Sequence, residues 1–211
     1  TDLVQFRPDH SPYRVLHGEV KNNVGVHYLL GNDLEKAEVA FTSALADFGK
    51  ALELNKGDVA ARHGRAWCLS YLADTLYELS RKDEASKLYE EAIRSRAALC
   101  RDNPHTVEYQ YAQAWLLLTC QDRSFRDALA GSRIADRLSA SSPENGRLLV
   151  LKSLGQLRSE DYFGVIKSLD AAVKFRLSNK TPADFIRAMA LWLNEDQKGA
   201  QAAWKTANST M

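Results

Sequence analysis

The residues with chemistry to offer are scattered along this chain, and their spacing decides what they can do. Five histidines occur, His10, His17, His27, His63 and His105. None belongs to an HxxxH or HExxH set, the spacing that puts two imidazoles on one helical face around zinc. Cys68, Cys100 and Cys120 are odd in number and show no CxxC spacing, which argues against a disulfide framework or a zinc cluster. They read as buried free thiols in a reducing compartment. Cys100 and His105 straddle an expected helix end, yet a zinc site takes about four ligands. Cys120 as a nucleophile has no elbow and no paired acid to support it. His63 beside Arg62 and Arg65 could hold an acid group, but a solvated helix start is the simpler reading. Glu90-Glu91 and Glu35-Lys36 read as solvated faces, and the acceptor triplet Asn208-Ser209-Thr210 as chance in a reducing cytosol. No catalytic residue, metal ligand or cofactor is assigned, and the chain is expected not to be an enzyme.

What remains is recognition by side chains, which requires elements to hold them. The informative stretch is Val24 to Leu45, VGVHYLLGNDLEKAEVAFTSAL. It reads as two amphipathic helices joined by a turn at Gly31-Asn32-Asp33. Small residues at Gly25, Ala37 and Ala44 let two helix backbones approach, while Tyr28 and Phe41 fill the space beside them. This order of small residue, aromatic, turn, Ala, aromatic, Ala resembles the tetratricopeptide repeat, a helical hairpin of about 34 residues. One hairpin cannot bury its own apolar face, so the pattern must recur.

Taken in order, residues 1–12 hold Pro8 and Pro12 without helical period and are expected to be an extended lead-in. A single array over 13–211 follows, in hairpins of about 13–55, 58–102, 104–142, 143–178 and 181–208. The second repeats the signature as Ala85, Tyr89 and Ala92. The third has a longer connection through Gln121 to Phe125 and an ambiguous register around Leu129, Gly131 and Leu138. The fourth carries Val165, Leu169 and Ala172, and the fifth Ala200, Trp204 and Ala207. Trp204 is expected in the core, where truncation would open a cavity costing about 3–5 kcal/mol. No stretch alternates well enough to read as a strand. The resemblance therefore implies an all-α, right-handed α-solenoid of about five tetratricopeptide-like hairpins.

A narrower resemblance covers Tyr109 to Ala207. The segments YAQAWLLLTCQDRSFRDALAGSRIADRL, EDYFGVIKSLDAAVKF and FIRAMALWLNEDQKGAQAAWKTA are similar to C-terminal repeat regions of planctomycete-type serine/threonine protein kinases. Arg126-Asp127 and the Phe185–Ala190 segment carry the likeness. No glycine-rich nucleotide loop, HRD or DFG is present, so a kinase domain would lie outside these residues. The chain opens on Thr1 rather than methionine, which suggests an excised or processed piece. It also departs from the repeat pattern. The turn glycine expected five residues before the signature Ala is shifted to Gly31 in the first hairpin. Ser80, Glu160 and Glu195 stand there in the second, fourth and fifth. Leu154-Gly155 fits poorly, so the fourth hairpin is expected to be irregular.

In arrays of this kind the first helix of each pair lines a groove that takes a peptide or helix. Register then places Asn22 and Val26 on that side from the first pair, and Trp67, Ser70, Tyr71, Asp74 and Tyr77 from the second. The third adds Tyr111 and Trp115, and the last Phe185, Met189 and Trp192. Tryptophan and tyrosine suit such a surface because they bury much area while losing little rotamer freedom. The Lys/Asn/Arg set that holds a chaperone's terminal carboxylate is not reproduced, since Val26 and Asp74 stand at its positions; an acidic C-terminal tail is disfavoured. With 28 basic and 27 acidic residues the net charge is +1, which gives no drive toward nucleic acid. No apolar run reaches the roughly 20 residues of a membrane span. The expected partner is a protein or peptide in the cytoplasm; the rivals are a homodimer formed through Phe185 and Trp192, and a metal or thiol enzyme.

Overall fold

In the computed structural model, which describes residues 10–175, 177 and 181–209, every regular element is helical. The helices are α1 (Ser11–Leu30), α2 (Leu34–Leu54), α3 (Val59–Glu78), α4 (Lys82–Asp102) and α5 (Val107–Thr119). After a 3-10 turn at Arg123–Phe125 come α6 (Ala128–Ser141), α7 (Gly146–Arg158), α8 (Tyr162–Lys174), α9 (Thr181–Leu193) and α10 (Gln197–Ser209). The expected lead-in lies mostly outside the described residues. Its last two residues, Ser11 and Pro12, are already helical, because proline has no N–H to lose in a first turn.

The starts are set by short acidic or amide side chains that accept the free N–H groups of a first turn. Asp58 accepts from Ala61 N at 3.0 Å, Asp127 from Ala130 N at 2.9 Å, Asp161 from Gly164 N at 2.9 Å and Asp196 from Gly199 N at 2.9 Å. Each such cap contributes about 1 kcal/mol. The turns inside the hairpins share a second device. Asn32, Ser80, Glu160 and Glu195 have φ of 58°, 63°, 62° and 65°, the left-handed region. Each stands five residues before its signature Ala or Val (Ala37, Ala85, Val165, Ala200). In the first hairpin the left-handed residue is therefore Asn32, and Gly31 has an ordinary negative φ of −79°.

The chain forms two compact units, residues 1–116 with 120–126, and 117–119 with 127–211. In the first, α1 packs on α2 and α3, α2 on α3, and α3 on α4. In the second, α6 packs on α7, α7 on α8 and α9, α8 on α9, and α9 on α10. Helices two apart thus touch within each unit, the layering of stacked hairpins.

Small residues make this possible. A Cβ added at Gly25 would lie 2.6 Å from the Phe41 ring, and one at Gly64 would lie 2.5 Å from the Phe48 ring. The signature positions behave alike in four hairpins: Ala37, Ala85, Val165 and Ala200 are buried, as are Ala44, Ala92, Ala172 and Ala207. Phe41, Tyr89 and Leu169 between them are also fully buried. Trp204 is the exception. It is 52% exposed, because α10 is followed by no further helix among the described residues. The fourth hairpin, expected to be irregular, has a turn like the others at Glu160, and Gly155 marks where α7 approaches Ser132 of α6.

Candidate functional site

In the first unit, one stripe of α3 carries His63, Trp67, Tyr71 and Asp74, spaced four, four and three apart. Phe41, Tyr71 and Trp67 form a stack, and His63 meets Trp67 edge-on with centroids 6.4 Å apart. Tyr71 lies parallel to Phe41 with centroids 5.7 Å apart, and Trp67 parallel to Tyr71 at 5.6 Å. Trp67 Nε1–H donates to His63 Nε2 at 3.1 Å, and His63 meets Tyr109 at 4.9 Å. On α5, Tyr111 and Trp115 stack at 5.9 Å. Aromatic pairs of this kind contribute about 0.5–1.5 kcal/mol beyond their buried area, so the rings are held in place rather than free to rotate.

The polar edge of the stripe is Asp74. Its carboxylate accepts from Tyr89 Oη at 2.6 Å. Burial pushes the Asp74 carboxyl up to about 6, against the Tyr89 hydrogen bond, which favours the charged form. Beneath Trp67 lies Arg96 of α4, with Cζ 4.1 Å from the ring centroid.

The expected site residues fall into two sets, one in each unit. Asn22, Val26, Trp67, Tyr71, Asp74, Tyr77 and Trp115 are half-buried in the first. Two others there are not displayed. Ser70 is 4% exposed and turns its hydroxyl back to the Ala66 carbonyl at 2.9 Å, while Tyr111 is 7% exposed. Helical phase alone puts both on the open side, and neighbouring side chains close over that phase. Phe185, Met189 and Trp192 belong to the second unit. There Phe185 meets Trp204 edge-on at 5.1 Å. Met189 and Trp192 line an apolar trough of ≈ 530 Å³ with Ala188, Leu193, Ala200 and Trp204.

Arg96 is the residue that sequence reading missed. It sits on the second helix of its pair, where the small-aromatic-small signature predicts core, and a charged residue in such a helix ordinarily faces solvent. The available signal was its register, four residues beyond Ala92, matching Phe48 four beyond Ala44.

Two of the three thiols, Cys68 and Cys120, are buried. Burial pushes Cys68 and Cys120 each up to about 12, so both are protonated at neutral pH. Among the described residues no three His, Cys, Asp or Glu side chains come together as a metal site would require. Nor, among them, is any helix long and apolar enough to cross a membrane.

Residues 65–105 match the family model described as tetratricopeptide repeat. No curated protein matches the chain. Among solved structures it is similar to TTC0263, a thermophilic TPR protein in Thermus thermophilus. That likeness has 16% identity and a TM-score of 0.60 over 92% of this chain and 91% of that one. It is also similar to MamA, from residue 41 to its end, of Desulfovibrio magneticus RS-1. There the identity is 14% and the TM-score 0.50, over 92% of this chain and 94% of that one. At such identities the likeness is one of fold: this is an all-α array of tetratricopeptide-type hairpins.

Proposed function

We propose that the chain is a non-catalytic protein-interaction module whose first unit binds a peptide or helix along α3 and α5. The observation that supports this most is the stack of Trp67 on Tyr71, with His63 edge-on to Trp67 and against Tyr109. Half-buried aromatic rings held in fixed orientation lose little entropy on binding, which is what a recognition surface needs. Tyr77 and Trp115 extend the surface at its two sides. The test is to select binders from a displayed random-peptide library on the full chain and titrate them against variants. Tyr77→Ala and Trp115→Ala should weaken binding at least tenfold while helicity is kept. Unchanged affinity in both would remove the reading.

A second reading rests on the trough between α9 and α10. Met189, Trp192 and Trp204 are 45%, 59% and 52% exposed there, a contiguous apolar patch of the kind that marks an interface. A second copy of the chain is the occupant this reading names. Light scattering at micromolar concentration should then give a dimer mass, and Trp192→Ser should return it to the monomer. A monomer mass for the unaltered chain excludes it.

On the resemblance of residues 109–207 we also place the array in a larger cytoplasmic signalling protein of bacterial type, such as a serine/threonine kinase. The full reading frame around the chain decides that point.

A further inference from the structure

Arg96 fills with a charge the slot that Phe48 fills with a ring. It is 1% exposed and lies between the Trp67 ring and the backbone of α3. Only Nη2 is engaged, and at length: 3.3 Å to the Ala66 carbonyl and 3.4 Å to Ser70 Oγ. Nε and Nη1 are buried and donate to nothing. Tyr71, Cys100, Cys120 and Glu108 are the polar side chains around it, and none accepts a bond from those two atoms. Burial lowers the guanidinium to about 10, which still leaves it charged at neutral pH.

A buried cation with two of its nitrogens unpaired is costly even with the Glu108 carboxylate nearby, and an apolar group of the same shape would avoid that cost. The first hairpin shows that the fold accepts such a group, since Phe48 occupies the matching place with full burial. The stacking of Arg96 on Trp67 offsets part of the cost, but it leaves the N–H groups of Nε and Nη1 unused. These point in the plane of the guanidinium, the direction in which carboxylates bind arginine.

We infer that this slot is a recognition pocket, in which Arg96 receives an acidic side chain of a peptide lying against α3 and α5. The inference rests on the reading proposed above and names the partner's chemistry: a carboxylate flanked by apolar residues. The Trp67 ring is the cover. The ring stays on the guanidinium face while the carboxylate approaches in the guanidinium plane, and the flanking apolar side chains pack on Tyr71 and Trp115. Glu108 opposes a second negative charge, so one carboxylate is accommodated. The cation belongs to α4, the second helix of its pair, so this pocket differs from any set built on the first helices alone.

The test uses the full chain and two fluorescein-labelled hexapeptides, one alternating Leu and Glu, the other Leu and Gln. Charge-assisted hydrogen bonds predict a preference of about 10- to 100-fold for the Glu peptide. Arg96→Met should abolish the preference, bringing the two peptides to within about twofold of each other, since methionine fills a similar slot without charge. Equal affinity of the unaltered chain for both peptides overturns the carboxylate and leaves the groove reading standing. A preference that survives Arg96→Met overturns it likewise. Binding of neither peptide at millimolar concentration removes both readings. Should Arg96→Met lose helicity, the two-peptide comparison on the unaltered chain decides alone.

Discussion

Tyr89 donates its hydroxyl to the Asp74 carboxylate across 2.6 Å, joining the buried side of α4 to the open side of α3. The pair has a pH signature. The folded carboxyl titrates at about 6 and an unfolded aspartate at about 3.8. The folded state therefore binds the proton more tightly. The favourable contribution is complete below the unfolded value and is lost as pH rises from about 4 through 6. Asp74→Asn keeps an acceptor for Tyr89 and removes the charge. It should stabilise the chain by about 1–2 kcal/mol at pH 7.5 and by little at pH 4, measured by urea unfolding at the two pH values. A gain independent of pH would contradict the assignment.

Gly64→Ala should destabilise. Its Cβ would lie 2.5 Å from the ring of Phe48, which is fully buried and faces Gly18 of α1 as well. With no side on which to yield, overpacking of this kind costs about 1–3 kcal/mol. Gly49→Ala serves as the control. Nothing lies within 4 Å of its added Cβ, so it should be neutral or stabilising by thermal melting.

The left-handed turns offer the opposite sign. Ser80, Glu160 and Glu195 adopt φ of 63°, 62° and 65°, a region that costs an ordinary L-residue about 1–2 kcal/mol. Glycine removes that strain and gives back part of it as backbone entropy. Glu160→Gly and Ser80→Gly should each raise stability by about 0.5–1 kcal/mol. A melting temperature that falls in both would show that these side chains hold the turns by contacts instead.

Trp204→Ala should cost less than about 1 kcal/mol, because half of the ring is already in water and its loss opens no closed cavity. Phe41→Ala, at the matching position of the first hairpin, should cost about 3–5 kcal/mol. Equal losses in the two variants would show that Trp204 is covered in solution, by a second copy or another segment.

The contrast between these two residues also shows what a single sequence can and cannot reveal. Spacing along one helix is local, so the positions of Ala37, Phe41 and Ala44 and their counterparts were legible, as were the turns at Ser80, Glu160 and Glu195. Whether a signature ring ends up covered depends on the helix that packs over it. Trp204 has the right spacing, but among the described residues no helix follows α10 to cover it. Ser70 and Tyr111 show the converse, because helical phase puts them on an open side that their neighbours close. Gly155 misled for a related reason: it serves a close approach to Ser132, outside its own hairpin. Arg96 was hidden because hydrophobic periodicity treats any charge as surface, whereas in the structure it is buried beneath Trp67.

Whether α3 and α5 of the first unit form the binding face can be read by photo-crosslinking. A library-selected peptide carrying a benzophenone group is irradiated with the full chain, and the adducts are mapped by mass spectrometry. Cross-links are expected on His63, Trp67, Tyr71, Tyr77 and Trp115. Cross-links confined to α9 and α10, or to α2 alone, would contradict that face.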